Sequence, residues 1–315
     1  MQFGLNFCNN RRAAEDPSFA ANLARAAEQS GFESIWAGEH VVMPGAISSR
    51  YPFSKDGTRT SRGRTEDMPI ADPLVWLAFL AGNVQSLQLG TGVLILPEHH
   101  PVRLAKAVAS LDRLSNERVI LGVGIGWMRE EYEILGIPWE KRIDRFEEYV
   151  TLIRLLWTEQ SVSFHGQFYS FEAAKSFPQP RRPGGVPILF GGQSRGAAER
   201  AGRLGDGFMP ACTPDLLSEM PDLLASFRRA AEEAGRDPSA LEISVTLPHP
   251  ETDLDHAVGV LAELAVDRVM ISVQEPTLDA TLDSMAEKAD VLRRAVGACR
   301  AAAPSTGQNP ELATT

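Results

Sequence analysis

The sequence predicts an α/β fold, a (β/α)8 barrel of the TIM type with insertions after its second and fourth strands. Three observations carry this reading. Short apolar runs recur along the 315 residues, at 3–7, 34–37, 87–94, 119–123, 187–190, 207–209, 241–247 and 268–273. Stretches of helical period lie between them, so strand and helix alternate, the pattern of parallel strands joined by right-handed crossovers. Two of the runs break abruptly into glycines and polar residues, in Leu121-Gly-Val-Gly-Ile-Gly-Trp127 and Phe190-Gly-Gly-Gln-Ser194. Eight repeats close a barrel better than they fill an open sheet, and a barrel collects its strand exits on one face, where such folds place their chemistry. A doubly wound open sheet is the alternative architecture.

Taken in order, the first strand leads to a helix over 19–29, announced by Asp16-Pro17. The second strand is followed by an insertion, 43–71, without periodicity, and then by a helix over 74–84 opened by Asp72-Pro73. The third strand precedes a helix over 102–114. The fourth precedes a helix over 141–157, where Ile143, Phe146, Val150, Ile153 and Trp157 recur at helical spacing and give one apolar face. A second insertion, 160–185, carries Phe164, Phe168, Tyr169, Phe171 and Phe177, with Pro178, Pro180, Pro183 and Pro187 before the fifth strand. Thr213-Pro214 and Asp237-Pro238 mark further helix starts. In each such pair a capping side chain precedes a proline at the first helical position, where the missing N–H costs nothing. The barrel is expected to occupy 1–302 as one domain, with the small, polar residues 303–315 as a flexible tail. Long loops at barrel exits cover a pocket or contact partners.

Lys and Arg number 31 and Asp and Glu 41, a formal net charge of −10, which argues against non-specific nucleic-acid binding. The cysteines Cys8, Cys212 and Cys299 are isolated, so neither a disulfide framework nor a cysteine zinc site is indicated, and a reducing cytoplasm fits. The N-terminus has neither the basic flank nor the apolar core of a signal peptide, and no apolar run is long enough to cross a bilayer. His99 and His100 are adjacent and no HxH or HxxxH spacing occurs, so no metal site is expected.

The residues at the strand exits suggest a ligand site. Gly124, Gly126 and Trp127 leave the fourth strand, the glycines allowing close backbone approach and the indole forming a pocket wall. Glu130 and Glu131 open the helical segment beyond, where acids either suit the helix dipole or join the site. Gly191, Gly192, Gln193, Ser194 and Arg195 run from the fifth strand into a helix N-terminus, an arrangement that binds phosphate. Asp206 is expected to brace the next turn.

The order and spacing of several motifs make the chain resemble the luciferase-like monooxygenase superfamily, most closely its branch dependent on coenzyme F420. They are Ala27-Glu-Gln-Ser-Gly-Phe32, Trp36-Ala-Gly-Glu-His40, Leu89-Gly-Thr-Gly-Val93, Leu111-Asp-Arg-Leu-Ser115, the stretch 122–131 and Ala201-Gly-Arg-Leu-Gly-Asp-Gly-Phe208. The resemblance implies a (β/α)8 barrel and hydride transfer between the deazaflavin and a small-molecule substrate. His40 would line the site as proton donor or substrate orienter, with Glu39, Trp127 and Glu130 beside it. The family's non-prolyl cis peptide would fall at Gly92–Val93, after Thr91, as a backstop for the ring. Asn6 joins the candidate cofactor-binding residues, and the 191–195 loop would hold the cofactor phosphate. Trp127 stands where one related enzyme has a glutamate, so that acid's role does not transfer directly. A basic cluster in the first insertion, from Arg50 to Arg64, would meet the cofactor's acidic tail. The alternatives are an FMN-dependent, oxygen-using monooxygenase served by a reductase, and a flavin-binding protein without catalysis. A homodimer is the expected assembly.

Overall fold

In the computed structural model the eight short apolar runs pair in chain order and close on themselves. The structure describes residues 1–52, 67–247, 253–273 and 275–302. Eight barrel strands are labelled here β1 (Gln2–Leu5), β2 (Ser34–Ala37), β3 (Gln88–Thr91), β4 (Val119–Gly124), β5 (Ile188–Gly191), β6 (Gly207–Met209), β7 (Glu242–Leu247) and β8 (Arg268–Ile271). Every neighbouring pair is parallel, and the circle is completed by Gln2 opposite Arg268 and Leu5 opposite Ile271. The open-sheet alternative is excluded by that closure. The third expected run is interrupted: β3 stops at Thr91, a cis peptide joins Gly92 to Val93, and Leu94–Ile95 then pairs beside Val123 and Gly124.

Two apolar layers hold the barrel. The outer one lies between strands and helices and includes Leu5, Ile35, Leu89, Leu121 and Val245. The inner one is small: Trp36, Ile120, Leu189, Met209 and Met270, with Val93 resting on it. Trp36 fits inside because β3 offers no side chain at one position. A Cβ on Gly90 would lie 2.2 Å from the indole. This layer blocks the interior and leaves only the upper end open.

The helices begin largely where the sequence marks them. Asp16 accepts hydrogen bonds from Ser18 N–H and Phe19 N–H at the head of α1 (Pro17–Gln29), and Asp72 accepts from Val75 N–H at the head of α2 (Pro73–Ala81). After Asp237 the proline opens only a short 3-10 turn, whereas after Thr213 the 3-10 turn Pro214–Glu219 runs directly into the helix Met220–Glu233. The helix after β3 is α3 (Pro101–Leu114). The segment after β4 contains α4 (Arg129–Ile134) and α5 (Arg142–Thr158), and α6 (Arg195–Leu204) follows β5. Asp206 accepts from Ile188 N–H at 2.8 Å and pairs with Arg154 at 2.9 Å, bracing the turn into β6.

The second insertion is not an irregular loop. It folds into an antiparallel hairpin, Val162–His165 with Ser170–Ala174, pairing Phe164 with Phe171. Glu148 of α5 gathers the N–H groups of Gln167, Phe168 and Tyr169 at its tip. The hairpin packs on the flank of the barrel. The basic residues Arg59, Arg62 and Arg64 of the first insertion, and the tail 303–315, lie outside the described residues. No described helix is long and apolar enough to cross a membrane.

Candidate active site

A cavity of about 660 Å³ opens above the inner layer at the C-terminal ends of the strands. All eight strands reach it: Asn6 and Phe7 follow β1, Glu39 and His40 follow β2, and Gly92 and Val93 follow β3. Gly124 to Trp127 leave β4, Gly191 to Ser194 leave β5, and Met209, Ala211, Thr246 and Ser272 come from the last three strands. Tyr51 and Pro52 of the first insertion complete the wall, whereas no residue of the hairpin insertion lines it.

The cis-linked Val93 forms a step inside this space. Two glycines make room for it: a Cβ on Gly191 would lie 2.6 Å from Val93, and one on Gly124 would lie 2.8 Å away. Asn6 is 9 % exposed, and its Oδ1 has no hydrogen-bond partner among the described residues. Thr91, expected at the site, is fully buried just beneath it, where its hydroxyl donates to the Gly122 carbonyl at 2.7 Å.

His40 is held by the fully buried Glu131, the neighbour of the expected Glu130. Its Nδ1 lies 2.9 Å from Glu131 Oε2. The other carboxylate oxygen accepts from Val41 N–H at 2.7 Å and Val42 N–H at 3.3 Å, fixing the chain that follows β2. A carboxylate can only accept, so Nδ1 carries the proton and Nε2 is left to act on a ligand. Trp127 meets the imidazole edge-on, with ring centres 6.2 Å apart, and Tyr51 stands 5.2 Å from the indole. Glu39 accepts from Ile95 N–H at 2.6 Å and faces His99 Nε2 at 2.9 Å, so it anchors the segment after the cis peptide. Glu130 turns away from His40. Although partial burial pushes its carboxyl upward, hydrogen bonds from the Ser48 and Ser49 hydroxyls and the Ser48 N–H hold it down at about 2. It thus binds the first insertion to α4.

On the opposite wall, Gly192 adopts a φ of 140°, and a Cβ there would meet Ala197 at 2.6 Å. Ser194 caps α6, accepting from Ala197 N–H at 3.2 Å, and Gln193 donates to the Ala211 carbonyl at 2.8 Å. The first-turn N–H groups of a helix have no intrahelical acceptors and favour an anion. The charge expected from Arg195 is directed elsewhere: that side chain is exposed and pairs with Glu199 at 2.7 Å. Arg200, farther along α6, lines the cavity and makes no hydrogen bond or ion pair among the described residues. Burial lowers its proton affinity. The sequence reading passed over Arg200, and of the two acids Glu130 and Glu131 it set Glu130 beside His40, whereas Glu131 is the one that meets the imidazole. Arg200 follows the cavity-lining Ala197 by three positions, a helical spacing that places both on one face.

The comparisons with known proteins agree with this geometry. A family model described as luciferase-like monooxygenase matches residues 1–253. An uncharacterized protein of Mycobacterium tuberculosis is 36% identical over 234 residues, 74% of this chain and 78% of that protein. An F420-dependent glucose-6-phosphate dehydrogenase of Nakamurella multipartita is 34% identical over 226 residues, 70% of this chain and 60% of the relative. Among solved structures, an F420-dependent secondary alcohol dehydrogenase in complex with an F420–acetone adduct superposes with a TM-score of 0.70 at 20% identity, covering 93% of this chain and 99% of that one. With a matched segment that takes in seven of the eight barrel strands and most of the cavity wall, the chain belongs to the luciferase-like monooxygenase family.

Proposed function

We propose that this protein is an oxidoreductase that moves a hydride between coenzyme F420 and a small organic substrate. The observation that carries the reading is the His40–Glu131 pair on one wall of a cavity whose other wall is a glycine-rich helix start with the unpaired Arg200. The F420 dependence named for the Nakamurella relative and for the alcohol dehydrogenase supports the choice of cofactor.

The residues present fit such a group. Val93 offers an apolar step for a flat ring, Asn6 Oδ1 is a buried acceptor in need of a donor, and Gly191 to Ser194 with Arg200 suit a phosphate. When bound, the deazaflavin supplies a carbon that accepts or releases hydride. The protein's part is placement, exclusion of water and movement of one proton. In the oxidative direction His40 would take the substrate hydroxyl proton at Nε2 as the hydride leaves the carbon that bears that hydroxyl. In the reductive direction it returns that proton to the carbonyl oxygen. Glu131 holds the ring's orientation and stabilises the imidazolium formed between these events. Trp127 and Tyr51 close the wall above His40 and shield that proton from solvent.

The test is titration of the purified protein with F420 and, separately, with FMN, followed by fluorescence and absorbance. Micromolar or tighter F420 binding with weaker FMN binding is expected. The reverse preference would sink the proposal in favour of an oxygen-using flavin monooxygenase supplied by a reductase. A homodimer is part of the same reading. Val75, 70% exposed, and Phe79, 42% exposed, lie one turn apart on α2 and would suit a second copy, which sedimentation would detect.

A further inference from the structure

Three carboxyl groups are buried together behind the wall that carries His40. Glu131 belongs to α4, Glu39 follows β2, and Glu98 ends the 3-10 turn Leu96–Glu98. Two of them are supplied with donors. Glu131 accepts from the Val41 and Val42 N–H groups and from His40 Nδ1–H. Glu39 accepts from Ile95 N–H and faces His99. Glu98 has none: both carboxyl oxygens are shut off from solvent and neither has a hydrogen-bond partner among the described residues.

The titratable groups next to it and on α5, which packs against its turn, are directed elsewhere. The Tyr132 hydroxyl donates to the Ile125 carbonyl, and Arg145 Nη1 donates to the Pro138 carbonyl at 2.8 Å. The Arg142 guanidinium lies over the Trp139 ring at 3.7 Å, its Nε without a partner among the described residues and so not spent on Glu98, and His99 is turned to Glu39. Tyr149, also on α5, lies edge-on to Tyr169, with ring centres 5.4 Å apart. A carboxylate stripped of water, donors and a counter-ion is far costlier than a neutral acid. The proton retained among these three carboxyls therefore belongs on the one without donors.

We propose that Glu98 is the proton-bearing member of this cluster, a positioning residue that keeps Glu131 ionised and so holds His40 with Nδ1–H toward Glu131 and Nε2 toward the cavity. An ionised Glu98 would set a second negative charge against the Glu131 carboxylate. A protonated Glu131 could donate to Nδ1 and reverse the imidazole tautomer. Burial pushes the Glu98 carboxyl up to about 9, and the neighbouring charges of Glu131 and Glu39 add to the effect.

The inference rests on the role given to His40, but its test needs no cofactor. The full chain is labelled at glutamate carboxyl carbons and histidine ring nitrogens and followed by NMR from about pH 5 to 10. One carboxyl signal, absent from Glu98→Gln, should stay protonated through neutrality and titrate near 9. The His40 nitrogens should inflect over the same range, and Glu98→Gln should abolish that inflection while preserving the Nδ1–H tautomer. In Glu131→Gln the Glu98 midpoint should fall, because a neighbouring negative charge has gone. Titration of Glu98 in the ordinary carboxylate range, about 4 to 5, would overturn the proposal. So would a His40 inflection that survives Glu98→Gln. If Glu98→Gln fails to fold, the Glu131→Gln shift decides the matter. Should F420 fail to bind while Glu98 titrates as expected, the cofactor reading falls and this one stands.

Discussion

The two ends of the barrel put buried polar groups to different uses. At the lower end Arg268, 1% exposed, lies beneath Trp36 and spends its terminal nitrogens on Glu242, Ser244, Gln2 and Gln88, its Nε alone lacking a partner among the described residues. Those partners come from three strands, β1, β3 and β7, and through the arginine on β8 they tie the start of the circle to its end. At the upper end Asn6 Oδ1 and both Glu98 oxygens lack partners among the described residues, and Arg200 lines the cavity. Unpartnered buried polar atoms each cost about 1–3 kcal/mol. The lower end thus uses its buried cation to knit strands together, whereas the upper end leaves the Asn6 acceptor and a cation at the cavity, where a ligand can meet them.

Substitutions can break that contrast. Trp36→Ala should cost about 3–5 kcal/mol of stability by emptying the inner layer, read as a lower midpoint in chemical denaturation, with cofactor affinity of the folded fraction retained. A loss of binding at unchanged stability would erase the distinction between the ends. His40→Ala should do the reverse, lowering kcat/KM by about 10²–10⁴-fold while the denaturation midpoint stays close to that of the parent protein.

The pH dependence of stability sharpens the contrast. The folded chain keeps a proton on Glu98 that the unfolded chain, with its carboxyl near the ordinary 4.5, has released, so folded stability falls as pH rises from there toward about 9. The slope from one such group is at most about 1.4 kcal/mol per pH unit, less whatever residual solvent reaches it. Glu98→Gln removes that slope. Denaturation at pH 5 and pH 8 should therefore show the variant gaining on the parent at the higher pH. Parallel behaviour of the two proteins would mean that Glu98 is ionised in the fold.

Much of this architecture was legible in the chain because strand burial is a local signal. Runs such as Ile188 to Phe190 are buried on both faces and therefore read as unbroken apolar segments. Asp16 and Asp72 advertised their helices through a contact only three residues long. The hairpin was hidden because it lies on the flank, half exposed, and its aromatic residues pack against α5 in place of an alternating core face. The cis bond at Gly92–Val93 was suggested by family resemblance, since composition alone equally fits a bulge. The choice between Glu130 and Glu131 was out of reach for a different reason. Adjacent helical side chains diverge by roughly 100°, and which one meets His40 depends on the path of the chain after β2. Arg195 and Arg200 pose the same question of helical phase.

Arg200 offers the most direct measurement. The account places an anionic group of the cofactor against the start of α6 and the Arg200 guanidinium. Titration of Arg200→Ala with F420 should show at least a tenfold loss of affinity, about 1.4 kcal/mol, whereas its phosphate-free chromophore should bind as it does to the parent. Arg195→Ala, already paired with Glu199, should change neither. Equal weakening of the chromophore and the full cofactor, or a larger effect at Arg195 than at Arg200, would contradict the placement of the site.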